Sequence, residues 1–462
     1  MFTLSSLISA SGGQVVRGSA DHMLRFSGGA FDSRLISGGE CFFALRDQRD
    51  GHDFVADALG RGAAAAVVER IPADVPAGAL LIQVADPLLA LRRLADAIRD
   101  EHPIPAVAIT GSVGKTTTKE ATAAALGARY RVLRTLASHN NEIGVPLTFL
   151  RQEAGHEVAV IELGFYVPGE IADLSRLVRQ RIGIITAIPD IPVHFARTPD
   201  VEAIARGKAE LIEALPADGI ALLNADDARV RGLAGRTQAR VMLFGESADA
   251  EVRATDVRDD GFAGTRFTVR IGGAQAEARL PLPGRHLLGS ALAALGAAAA
   301  LGVPLDEAAV ALEMIEPPAH RMSIRRGTDL TVIDDSYNSS PAAVHAALAV
   351  LRDVPTRRVA VLGDMLELGT LSVAAHEAVG VDVARSADAL IAVGELAAII
   401  ASAAARSGLG IVRRATDAAE ALVTCRQLLR PGDTVLVKGS RALALDALAD
   451  ALVRSTDETV RI

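Results

Sequence analysis

The stretch AVAITGSVGKTTTKEATAAAL, residues 106–126, constrains this chain more than any other. The run 106–110 reads as a strand buried on both faces, the habit of parallel sheets covered by helices. Gly111 and Gly114 let the backbone turn its N–H groups inward, and the helix that follows offers unpaired donors and the positive end of its dipole. A corner built this way holds the phosphates of a nucleotide. The expected phosphate contacts are therefore Gly111, Ser112, Val113, Gly114, Lys115, Thr116 and Thr117. Lys115 would face β/γ-phosphate charge and the Thr116 hydroxyl would face Mg²⁺. The general pattern asks for a glycine five residues before Gly114, where this chain has Ile109, so the loop is a shortened form. The bland alternative is an ordinary glycine-containing strand–helix corner.

The strand–helix rhythm recurs along the 462 residues, about three domains' worth at roughly 150 residues each. Residues 1–102 read as a small α/β unit with strands in GGECFFAL and AAAAVVE, a helix in HDFVADALGRGA between them, and the Pro-flanked EHPIPA at its end. Residues 103–315 alternate AVAIT, EVAVIEL, IGIITAI and GIALLN with helices, then carry a hairpin-like RFTVRIGGAQAEARLPL. Residues 316–462 repeat the pattern with TVIDDS, RVAVLGDM, ALIAVG and TVLVKGS, as in a doubly wound sheet. The fold class is α/β in three domains. Ala-rich stretches at 289–301 and 386–406 favour helix, because Ala loses no side-chain entropy there.

The net charge of −8 gives no electrostatic footprint for nucleic acid. Cys41 and Cys425 match no disulfide or zinc spacing and read as buried thiols of a reducing compartment. The N-terminus lacks a basic n-region, and the longest apolar stretch, near 291–305, is too short for a bilayer. The expectation is a cytoplasmic protein with no membrane partner.

Glu162 closes EVAVIEL and His194 lies in the loop after IGIITAI. Both are expected at the carboxyl edge of the sheet, where open α/β folds take ligands, and both can serve Mg²⁺. They read equally as a hydrogen-bonded strand-end glutamate and a surface-loop histidine. In VEAIARGKAELIEAL, Lys208 stands four residues from both Ile204 and Ile212, on the apolar stripe. Burial there would favour the neutral amine, which can take up CO₂ as a carbamate and supply an anionic ligand to a second Mg²⁺. The other outcome is a lysine that snorkels to water along the helix edge.

These motifs, with DSRLISGGECFFAL, DGHDF, NNEIGVPLT, PGEI, NADD, PLPGRH, HRMSIRRG, IDDSYNSSP, VLGDMLELG and VLVKGSRA, run through the whole chain. Together they resemble the Mur ligases. The pieces DDSYN, LGDMLELG and KGSR are particular to the branch that adds D-alanyl-D-alanine to a UDP-N-acetylmuramoyl-tripeptide. The resemblance implies a UDP-sugar-binding N-terminal domain, a central P-loop-type ATPase with a mostly parallel sheet, and a Rossmann-like C-terminal domain. It implies ATP and two Mg²⁺ ions held by Thr116, Glu162, His194 and a carbamylated Lys208. Arg321 would reach the ATP phosphates and Asp335 the ribose. Ser33 and Arg34 would meet the uridine nucleotide, and Asn140 and Asn141 the sugar-peptide. Taken alone, these last residues read as a turn at 32–34, a helix-capping asparagine pair and a surface ion-pairing arginine. The implied chemistry is amide ligation through an acyl-phosphate in peptidoglycan precursor synthesis, by a monomer.

Some positions depart from the family pattern: Ser138-His139 before the asparagine pair, Phe165-Tyr166 after Glu162-Leu163-Gly164, the run 187–193, Leu287–Ser290 after His286, and Asn338-Ser339-Ser340-Pro341. They leave room for a family ligase with another carboxylate and amine; a nucleotide-binding partner protein without ligase turnover is the other alternative, against which the intact set Lys115, Glu162, His194 and Lys208 argues. A dehydrogenase is disfavoured, since no G-x-G-x-x-G follows a strand.

Overall fold

Apolar runs of four to six residues become strands buried on both faces, and the stretches between them become covering helices. The computed structural model describes residues 2–19, 21–46, 49–191, 198 and 200–454. It divides into two compact units. One comprises Met1–Ala108, Tyr130–Gly164 and Ile171–Ile182; the other comprises Ile109–Arg129, Phe165–Glu170 and Gly183–Ile462. Both units draw on the segment between 106 and 315.

In the first unit, five strands order as Gln14–Arg17, Leu81–Gln83, Ala65–Val68, Cys41–Phe43 and Gly29–Ala30. The first pairing is antiparallel and the rest are parallel. The expected strands fall at Cys41–Phe43 and Ala65–Val68. The helical stretch between them splits into a 3-10 turn, Gly51–Phe54, and a short helix, Val55–Gly60. Phe42, Val55, Ala58, Ala66, Val68 and Leu81 fill the core on one face. Asp86 caps the helix Pro87–Glu101 by accepting from Leu88 and Leu89, and Pro87 opens it where its missing N–H costs nothing. The strand Val158–Glu162 pairs in parallel with Val132–Arg134.

In the second unit, Ile220–Asn224 and Arg240–Gly245 pair in parallel, and Thr265–Ile271 and Ala274–Leu280 form the expected hairpin. A six-stranded sheet follows in the order Ser323–Arg326, Thr331–Asp334, Thr434–Lys438, Arg358–Gly363, Ala389–Val393 and Val412–Ala415. Its first pairing is antiparallel and the others are parallel. Two apolar cores cover its faces, one around Leu348, Leu390 and Leu436 and one around Val361, Ile391 and Val435. The edge strands SIRR and VRRA carry too little apolar signal to be read from sequence. Within the Ala-rich stretch 386–406, Ser386 ends the helix Ser372–Ser386 and a second helix covers Ala397–Arg406. Between the two lies the strand Ala389–Val393, because burial on both faces overrides alanine's helix preference.

Candidate active site

The phosphate loop takes shape from the strand Ala106–Thr110, whose five residues are all buried, and the helix Lys115–Leu126, with Gly114 at its N-cap in the left-handed conformation. Gly111 sits at φ +151°, and a Cβ there would lie 1.9 Å from Thr186 Oγ1, so only glycine fits. Thr186 Oγ1 in turn donates to the Val113 carbonyl at 2.5 Å and holds the loop's crest. Ser290, one of the departures from the family pattern, shares a hydrogen bond with Thr118 at 2.9 Å and ties the loop's helix to the helix Leu288–Ala300. Ser112, Thr116 and Thr117 are nearly buried, and Ser112 Oγ has no protein partner.

Lys115 Nζ donates to the Gly111 carbonyl at 2.8 Å, and Lys208 Nζ donates to the same oxygen at 3.1 Å. The two lysines singled out from sequence therefore converge on one atom. Lys208 sits in the helix Val201–Glu213, capped by Asp200, which accepts from the Ala203 N–H at 2.6 Å. Its side chain does not snorkel: the residue is 2% exposed. Phe165 covers it, with Lys208 Nζ 4.8 Å from the ring centroid. Burial, and then the neighbouring Lys115 charge, holds the Lys208 ammonium well below the usual lysine range. Gly207 makes the arrangement possible, since a Cβ there would stand 2.1 Å from the Phe165 ring. Sequence reasoning marked Phe165 only as a departure and missed this role.

Glu162 ends its strand, buried at 1% exposure. Its backbone N–H donates to Thr135 Oγ1 at 3.1 Å, and Asn140 Nδ2 donates to its Oε1 at 2.7 Å. Its Oε2 is buried with no hydrogen-bond partner. A buried carboxylate oxygen left unsatisfied is costly unless a cation or donor completes it. Asn141 plays a different part: its Oδ1 accepts from the Gly144 N–H at 2.9 Å and starts the helix Gly144–Leu150. The asparagine pair thus divides between the carboxylate and a helix end. His194 lies outside the described residues. Among the described residues, no three His, Cys, Asp or Glu side chains cluster as a metal cage.

Arg321 lies between His320 and Met322, both with positive φ (58° and 49°). Its guanidinium stacks over the Tyr337 ring at 4.1 Å rather than resting on a surface carboxylate alone. His320 Nδ1 is 2.8 Å from Asp334 Oδ2 and pins that corner. Asp335 Oδ1 accepts from the Met322 N–H at 3.1 Å, and its Oδ2 accepts from Lys438 Nζ at 2.6 Å. Lys438 is 2% exposed and was missed from sequence, although a lysine closing the apolar run TVLVK is itself a sign of a buried partner.

In the first unit, Asp32 caps the 3-10 turn Ser33–Leu35 and pairs with Arg34 at 2.6 Å. Ser33 is buried, and the Arg34 side chain is 80% exposed. The Arg34 hydrogen bond holds the Asp32 carboxyl below the usual range. The turn expected at 32–34 is present, and the Arg34 guanidinium is exposed beside it. Cys41 and Cys425 are buried and unbridged, and burial pushes the Cys425 thiol up to about 12. Among the described residues, no helix is long and apolar enough to cross a membrane.

Residues 109–298 match the family model of the Mur ligase middle domain, and residues 320–441 match that of the Mur ligase glutamate ligase domain. The chain is 36% identical to the UDP-N-acetylmuramoyl-tripeptide–D-alanyl-D-alanine ligase of Mycobacterium tuberculosis, over 92% of this chain and 91% of that protein. It superposes on a crystal structure of MurF from Acinetobacter baumannii with a TM-score of 0.83, at 30% identity and 98% coverage of each chain. Against the crystal structure of MurF ligase from Thermotoga maritima in complex with ADP, the TM-score is 0.75, at 25% identity over 94% of this chain and 98% of that one.

Proposed function

The chain belongs to the Mur ligase family, and from that premise we propose that it is an ATP-dependent, ADP-forming ligase that joins D-alanyl-D-alanine to a UDP-N-acetylmuramoyl-tripeptide. The observation that carries the chemistry is the convergence of Lys115 and Lys208 on the Gly111 carbonyl at the phosphate loop.

A peptide carboxylate oxygen attacks the γ-phosphorus of ATP, and ADP leaves. The loop N–H groups and Lys115 hold the phosphates, and Lys115 and Arg321 stabilise charge that grows on the transferring group. The neutral amine of the dipeptide then attacks the acyl carbon. Phosphate departs, the nitrogen loses a proton, and an amide remains. Asp335, ordered by Lys438, is the reading's ribose contact. Ser33 and Arg34 serve the uridine nucleotide, and Asn140 and Asn141 the sugar-peptide loop.

Mg²⁺ suits these donor types taken one by one: in the first unit the buried Glu162 Oε2 lacks a partner, and in the second Thr116 offers a hydroxyl on the phosphate loop's helix. The reading gives the ions to Thr116, Glu162, His194 and Lys208. When bound, they would neutralise phosphate charge. Lys208 enters as a carbamate: its neutral amine nitrogen bonds the carbon of CO₂ and releases one proton. Burial under Phe165 supports the neutral amine that this step requires.

The reading places the domains at 1–102, 103–315 and 316–462, and the protein in the cytoplasm as a monomer. Two buried, unbridged cysteines suit a reducing compartment. The test is phosphate release from ATP with a panel of UDP-muramoyl-peptides, each with and without D-alanyl-D-alanine. Release that needs both a tripeptide and the dipeptide supports the reading. Release with another acid–amine pair, and none with this one, replaces the substrates. No release with any pair overturns ligase turnover.

A further inference from the structure

The C-terminal sheet carries a second cation that the phosphate reading leaves unused. Its strands Thr331–Asp334 and Thr434–Lys438 pair in parallel, so the segments 335–340 and 439–443 leave the sheet at the same carboxyl edge. Ligands of open α/β sheets bind at such edges. The buried Lys438 fastens the two segments together, donating to Asp335 Oδ2 at 2.6 Å and to the Asn338 carbonyl at 2.9 Å. Ser440 anchors the second segment from the other side: its N–H donates to the Asp364 carbonyl at 3.0 Å, and its Oγ accepts from the Leu366 N–H at 2.9 Å.

The Arg441 guanidinium of the second segment lies over the Tyr337 ring of the first, 4.9 Å from its centroid. Arg321 lies over the same ring at 4.1 Å. Each guanidinium is attracted to the face of the shared aromatic ring. Arg441 has one long contact with Asp446, 3.8 Å, on a side chain 63% exposed. Such an ion pair is worth little and yields readily to a ligand.

We propose that Arg441, stacked on Tyr337, binds the terminal carboxylate of the incoming dipeptide. This rests on the ligase reading above, in which Arg321 holds the phosphate end of the reaction. The geometry works as a ruler. The amine must reach the acyl-phosphate near Arg321 while the carboxylate sits at Arg441. The two centroid distances laid end to end bound the separation of the guanidinium carbons. An extended dipeptide spans roughly 7 Å and a single amino acid about half that. An extended dipeptide fits within that limit.

The test crosses enzyme and acceptor variants: wild type, Arg441→Gln and Arg441→Lys, each with D-alanyl-D-alanine and with D-alanyl-D-alaninamide, which lacks the anion. For Arg441→Gln, KM for the dipeptide should rise about 10- to 100-fold, the size of a lost charge-assisted hydrogen bond. KM for ATP should stay within about twofold. The amide should be a poor acceptor for wild type and no worse for the variant, and Arg441→Lys should recover part of the loss. Equal losses on acid and amide, or a rise confined to ATP, would overturn the assignment. A wild type that prefers the acid, with an Arg441→Gln variant that keeps this preference, removes Arg441 alone. A wild type that ligates neither acceptor sinks the ligase reading itself.

Discussion

Lys208 shows what a single buried charge can and cannot do. Its amine is covered by Phe165 and hydrogen-bonded to a loop carbonyl, without a carboxylate partner among the contacts described above. An unfolded lysine titrates near 10.4, whereas folded Lys208 titrates well below that. Between those values the unfolded chain binds the extra proton, so the residue opposes folding at neutral pH and the penalty fades as pH rises. In CO₂-depleted, metal-free buffer, Lys208→Met should raise Tm at pH 7 by at least about 3 °C. The gap should close as pH approaches 10; a gap independent of pH would contradict the neutral-amine account. The same residue is expected to matter for turnover. Lys208→Ala should lower ligation by roughly 10²–10³-fold, the usual scale for one electrostatic group, and acetate or a similar short acid should restore part of it. Wild-type activity in that variant would remove the carbamate from the mechanism.

The helix Val201–Glu213 carries Lys208 to the loop, and Gly207 is its structural oddity. Glycine in a helix interior costs about 1 kcal/mol relative to alanine. Here the expected gain from alanine reverses, because the new Cβ would collide with the Phe165 ring at 2.1 Å. The ring is 3% exposed and has little room to yield. Overpacking of this kind costs about 1–3 kcal/mol, so Gly207→Ala should be destabilised on balance and should lose ligase activity as the ring leaves Lys208. Thermal melts of Gly207→Ala, Phe165→Leu and the double variant check this. The two changes should be coupled, with the double variant more stable than additivity allows. Strict additivity would show that the ring and the glycine do not share the space.

At the scale of the whole molecule, metal and nucleotide should bind as a set. Mg²⁺ dehydrates reluctantly and is usually held by one or two carboxylates together with substrate phosphates. Glu162 offers one unsatisfied oxygen, and among the described residues no three-ligand cage exists. Mg²⁺ alone should therefore leave Tm unchanged, and EDTA should not destabilise the nucleotide-free protein. Mg²⁺ with ADP at about 100 times Kd should stabilise by about 2.7 kcal/mol, and EDTA should erase most of that gain. Differential scanning measurements decide it: a large Tm rise with Mg²⁺ alone would point to a resident metal centre.

Periodicity and local chemistry made much of this protein legible before any coordinates. The buried strands at 106–110, 158–162, 331–334 and 434–438 declare themselves as apolar runs too short for helices, and the glycine–lysine–threonine corner announces a phosphate loop because few other chemistries need that spacing. The stripe position of Lys208 also follows from the 3.6-residue repeat alone. What periodicity cannot carry is a contact between residues far apart in the chain. That Lys115 and Lys208 share one carbonyl, that Phe165 rather than solvent meets Lys208, and that Lys438 fastens Asp335 were decided by tertiary packing. The charged edge strands 323–326 and 412–415 owe their form to neighbouring backbones, since hydrogen bonding across a sheet is indifferent to the side chains that would advertise it.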